Sequence, residues 1–101
     1  MPKLYEYLGL IVMFYANEHE PVHVHGKCQG RESKAEIIVL DGIVTEIRYS
    51  EVAGRAPLAF REMQQFQKLV RTCADDIVRK WIDFFVLHKA IKPERITGRL
   101  K

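Results

Sequence analysis

Residues 22–50 read VHVHGKCQGRESKAEIIVLDGIVTEIRYS, and this stretch decides the fold. Three runs of strand-forming residues, near Val22–Cys28, Ser33–Leu40 and Ile43–Tyr49, are separated by turn residues. Asp41-Gly42 between apolar runs predicts a two-residue type I′ hairpin, because both central positions of that turn need positive φ. Gln29-Gly30-Arg31 is a weaker signal of the same kind. If Cys28 pairs with Arg31, His23 opposes Glu36 and His25 opposes Lys34. Val22, Val24, Ala35 and Ile37 then share one face, and the histidines lie on the polar one. A regular Asp41-Gly42 hairpin, however, pairs Glu36 with Ile47 and Ile38 with Thr45. That puts Ile38, Leu40, Ile43 and Ile47 on the histidine face. A β-bulge would reconcile the two registers; burial of both faces is the alternative.

Upstream, about Tyr5 to Tyr15 reads as one strand with two apolar faces, which predicts a central or doubly covered position. Downstream, Phe60, Met63, Phe66, Val70, Cys73, Ile77, Trp81, Phe84 and His88 recur at helical steps. One helix over 58–90 would run about 50 Å. Thr72-Cys73-Ala74-Asp75 resembles a helix start, so two helices with a break near 72–75 are favoured over one. The apolar band Ile77–Leu87 predicts deep burial or a dimer contact. The expectation is an α+β domain over residues 1–90, an antiparallel sheet of about four strands followed by one or two C-terminal helices packed on it. A basic tail covers 91–101.

At 101 residues, 48% of them apolar, the chain can bury a real core as one domain. The formal charge of +3 is uneven. Residues 86–101 carry five Lys/Arg against Glu94 alone, so the basic excess is in the tail. Such a tail can reach nucleic acid through counterion release; apolar Ile96 and Leu100 argue instead for docking on the body or a second copy. No apolar run is long enough to span a membrane. The start has an acid where a signal peptide would be apolar, so the reading places the chain in the cytoplasm. The only cysteines, Cys28 and Cys73, lack metal-ribbon spacing and read as small buried hydrophobes.

Three of the four histidines fall in Asn17–His25. His23 and His25, at i,i+2 on a strand, project to the same face, and His19 precedes them in a turn. Such a trio suits a divalent transition metal, with Glu18, Glu20 or Glu36 completing the shell. Without metal, His23 and His25 are candidate catalytic groups for general acid–base cleavage of RNA, with Lys27, Arg31 or Lys34 on the phosphate. Hydrogen-bonded structural histidines are the commoner occurrence. Cys28, three positions after His25, falls on the opposite strand face and is a poor nucleophile candidate.

The run Met13-Phe14-Tyr15-Ala16-Asn17-Glu18-His19-Glu20-Pro21-Val22-His23-Val24-His25 resembles the signature of the bacterial domain of unknown function 4160 family. Ala35–Leu40 is similar to its following strand, and Ile77–Phe85 to its Trp-containing closing helix. The resemblance covers about residues 1–88 and implies small cytosolic proteins without an established activity, some in toxin–antitoxin-like gene pairs. Asn17, Glu18, His19, Pro21, His23 and His25 are the matching positions. Asn17, Glu18 and His19, with Lys34 and Glu36, are the candidate binding residues. The longer helical segment and the tail after Ala90 depart from shorter members. The leading expectation is an interaction module, one half of a toxin–antitoxin-like pair, binding a protein partner and, through its tail, nucleic acid. A ribonuclease-like hydrolase using His19, His23 and His25 is the alternative, and a structural homodimer the third.

Overall fold

A computed structural model describes residues 3–15 and 21–97. Among the described residues six strands form one sheet: β1 (Lys3–Tyr7), β2 (Leu10–Met13), β3 (His23–Cys28), β4 (Arg31–Leu40), β5 (Ile43–Glu51) and β6 (Glu94–Ile96). One helix, α1 (Phe60–Trp81), lies between β5 and β6 in sequence. The sheet order is β5-β4-β3-β2-β1-β6. Every neighbouring pair is antiparallel except β1 and β6, which run parallel. The α+β class stands, but the sheet has six strands rather than four and is mixed.

The extra strands have two sources. The run expected as one strand is a hairpin, with Tyr7 paired to Leu10 across Leu8 (φ 51°) and Gly9 (φ 82°). Gln29-Gly30 and Asp41-Gly42 turn the same way, each with two positive φ angles. Leu8 hides the first turn, because left-handed backbone favours Asn, Asp or Gly over a leucine. The second source is the segment read as a tail. Tyr5, Glu6 and Tyr7 of β1 pair with Glu94, Arg95 and Ile96, so β6 extends the sheet. Arg95 reaches Glu6 at 3.2 Å, and Lys80 reaches Glu94 at 2.9 Å.

The register conflict is resolved by a bulge. Leu40 pairs with Ile43, Val39 with Val44, and Ile38 with Glu46, leaving Thr45 as the additional residue. Beyond it Ile37 meets Ile47 and Ala35 meets Tyr49. Cys28 pairs with Arg31, His25 with Lys34 and His23 with Glu36. Val24, Ala35 and Ile37 are therefore buried under α1, and the histidines take the other face.

α1 runs unbroken through 72–75. Ala74 is buried on its inner face, and the Thr72 hydroxyl donates back to the Lys68 carbonyl at 2.8 Å instead of capping a new helix. Phe66, Leu69, Val70, Ile77 and Trp81 fill the core from this side. Gly26 of β3 lets the helix close down: a Cβ there would stand 2.7 Å from the Phe66 ring. The Trp81 indole meets Phe14 edge-on at 5.2 Å between centroids. After Trp81 the helix widens into a π-turn, Ile82–Val86, where Leu87 N–H donates to the Ile82 carbonyl at 3.0 Å. No helix among the described residues is long and apolar enough to cross a membrane.

Candidate functional site

Strand alternation places His23 and His25 together on the side of β3 opposite Val24, with ring centroids 5.4 Å apart. Each ring is held through the same nitrogen. His23 Nδ1 lies 2.8 Å from the Pro21 carbonyl, which can only accept, so Nδ1 carries the proton. His25 Nδ1 lies 2.9 Å from Glu32 Oε2 and donates to that carboxylate. Both neutral rings therefore carry their lone pair on Nε2. This is the arrangement that fixes a tautomer for metal binding or for proton transfer. His23 also lies 5.5 Å from the Trp81 ring, and Tyr15 meets His25 edge-on at 4.5 Å.

Glu32 is the residue that sequence reasoning missed. Its side chain is 1% exposed, at the start of β4. Oε2 accepts from both His25 and the Tyr15 hydroxyl, each at 2.9 Å. Oε1 is buried with no hydrogen-bond donor among the described residues; Arg55 Nε stands at 3.7 Å and Lys27 Nζ at 4.0 Å. A buried carboxylate is costly unless paired, and the two cations supply the compensating charge. The signal was available: pairing Cys28 with Arg31 puts Glu32 directly across from Lys27 and diagonally from His25. Arg55 carried no such signal. It comes from the loop after β5, where the Ala56 carbonyl accepts from Glu32 N–H at 2.9 Å and continues the edge of β4. Beside Glu32, Lys27 and Arg55 the surface has an open depression of about 140 Å³.

The other candidates divide. Lys34 and Glu36 are the cross-strand neighbours of His25 and His23 but make no side-chain hydrogen bond among the described residues. Arg31 donates to the Pro57 carbonyl at 3.2 Å and so braces the same loop. Cys28 faces the core, and burial pushes its thiol up, which keeps it protonated and unreactive. His88 has φ 55° just past the π-turn, away from the other histidines in sequence. Asn17, Glu18, His19 and Glu20 lie outside the described residues, so the third metal ligand and the motif binding residues have no geometry to report. Among the described residues no group of three His, Cys, Asp or Glu side chains is placed to hold a metal.

A family model for a domain of unknown function (DUF4160) matches residues 9–82, more than half of the chain. The matched segment holds β2 to β5 and all of α1, and with them Tyr15, His23, His25, Glu32 and Arg55. β1 and β6 lie wholly outside it. No curated protein and no solved structure matches the chain.

Proposed function

This chain belongs to the DUF4160 family, and we propose that its histidine face is a small acid–base site acting on phosphodiester bonds, the chemistry of a ribonuclease. One observation carries the reading: two imidazoles on one face, each with Nδ1 tied to an acceptor, so that both Nε2 atoms are set for proton transfer. Glu32 behind His25 stabilises that ring's protonated form, which suits a general base. His25 takes the proton of a ribose 2′-hydroxyl as its oxygen attacks phosphorus. His23, protonated, gives its proton to the departing 5′-oxygen, leaving a cyclic phosphate. Lys27 and Arg55 stand beside the site as phosphate-binding cations. If a divalent transition metal is used instead, His23 and His25 would hold it with His19, and it would supply an activated water.

Cleavage of a labelled RNA strand tests this. His25→Ala and Glu32→Gln should each lower the rate by about 10²–10⁴-fold while both proteins stay folded by circular dichroism. The wild-type rate should show a bell-shaped pH profile. Wild-type protein that leaves RNA intact, or full activity in folded His25→Ala, would end the proposal. Elemental analysis beside His23→Ala separates the metal-free form from the metal-dependent one.

A second reading, the interaction module of a toxin–antitoxin-like pair, is supported by the apolar side chains that follow α1. Ile82, Val86 and Leu87 are 44%, 61% and 52% exposed. Replacing them with Ser would abolish capture of a protein partner and leave RNA cleavage unchanged.

A further inference from the structure

The cations of this domain are not distributed evenly between paired and unpaired states. Lys3 and Arg95 pair with Glu6, Lys27 and Arg55 flank Glu32, Arg48 pairs with Glu46, and Arg79 and Lys80 pair with Asp76. Among the described residues Arg31, Lys34, Lys89 and Lys92 have no ion-pair partner, and neither do Arg61, Lys68 and Arg71 of α1. The three on α1 are gathered, because steps of seven and three residues keep them on one side of the helix. With Gln64 and Gln67 they line a groove of about 530 Å³ that reaches the β1–β2 turn at Leu8. No carboxylate lines it.

Unpaired cations that share a concave surface repel one another and lower each other's stability contribution, so a grouping of this kind suits an anionic occupant. Its length says which. Ten residues of helix separate Arg61 from Arg71, about 15 Å along the axis at 1.5 Å per residue. One phosphate cannot meet all three cations, but a strand carrying phosphates in series can. The glutamine amides add neutral donors for phosphate oxygens and base edges.

We infer that the outer face of α1, through Arg61, Lys68 and Arg71, binds the phosphate backbone of a single-stranded nucleic acid. The surface lies on the helix side of the sheet, and none of the residues lining it belongs to the histidine strand or to the segment after Ala90. Binding therefore does not depend on the acid–base site.

The test measures fluorescence anisotropy with a short labelled oligodeoxythymidine, which lacks the 2′-hydroxyl and cannot undergo the cleavage chemistry. Wild-type protein should bind at low salt, with a log–log salt slope of about −2, from three phosphates at about 0.7 each. The triple variant Arg61→Ala/Lys68→Ala/Arg71→Ala should weaken binding by about tenfold or more and flatten the slope. Its fold should persist, because alanine is the strongest helix former at such outward-facing positions; circular dichroism checks this. Lys89→Ala/Lys92→Ala should bind like wild type. Three results would overturn the inference: no binding by wild type at low salt, undiminished binding by the folded triple variant, or displacement by polyglutamate as readily as by unlabelled strand.

Discussion

The Tyr5 hydroxyl donates a hydrogen bond to the Asp76 carboxylate and so fastens β1 to α1 across 71 positions of sequence. Lys80, four residues on from Asp76, stands 4.7 Å from the centre of the same Tyr5 ring and also holds Glu94 of β6. Burial, and then the bond to Asp76, push the Tyr5 phenol far above its ordinary range. Burial alone would raise Asp76 too, but the bonds from Lys80 and Tyr5 outweigh it and hold the carboxyl below its usual value. The edge of the sheet outside the family-matched segment is thus joined to the helix by a polar cluster as well as by its buried apolar side chains.

That cluster predicts acid sensitivity. Glu6 is also held down, chiefly by its hydrogen bond from Lys3 and then by Arg95. A carboxylate with a lowered folded pKa contributes stability that is complete above its unfolded value of about 4. The contribution is lost as pH falls through the folded value. Melting temperature should therefore hold down to about pH 5 and fall below it. Asp76→Asn should be less stable than wild type at neutral pH and show a shallower acid decline, measured by thermal melts across that range. An identical decline in the variant would remove Asp76 as a cause.

Trp81 closes the core at the far end of α1. It is 3% exposed and packs on Phe14, His23 and Phe85. Trp81→Ala should cost about 3–5 kcal/mol, enough to threaten a marginal domain. Urea unfolding measures it, and a loss below about 1 kcal/mol would mean that the indole pocket collapses without penalty.

Gly26 predicts the opposite failure, overpacking. Gly26→Ala puts a methyl group into the Phe66 ring, which is fully buried and has little room to move. The expected cost is about 1–3 kcal/mol. Adding Phe66→Leu should recover part of that loss, giving a favourable coupling in a double-mutant cycle. Additive losses would show that the ring and the new methyl do not meet.

Much of this arrangement was legible in the sequence because period-two alternation and X-Gly turns are local signals. Cys28-Gln29-Gly30-Arg31 gave the pairing of β3 with β4, and with it the common face of His23 and His25. The conflict around Asp41-Gly42 marked the bulge. Three features were not legible, each for its own reason. Leu8 is an unusual residue for left-handed backbone and concealed the first hairpin. β6 is short, and only its contacts with β1 and Lys80 make it a strand. Arg55 reaches Glu32 through the course of a loop, which no periodicity encodes. Thr72-Cys73-Ala74-Asp75 was misleading, since a threonine within a helix can satisfy its hydroxyl on the preceding turn. Asn17, Glu18 and His19, singled out by composition and spacing, lie outside the described residues.

The Thr45 bulge separates the length of β5 from its pairing. Thr45 sits between Val44 and Glu46, whose partners Val39 and Ile38 are adjacent in β4. Removing it would leave each of those pairs with the same partner and the core face unchanged. Family members that differ by one residue at this place would share one fold, and a gap opened there belongs at Thr45 rather than in the turn.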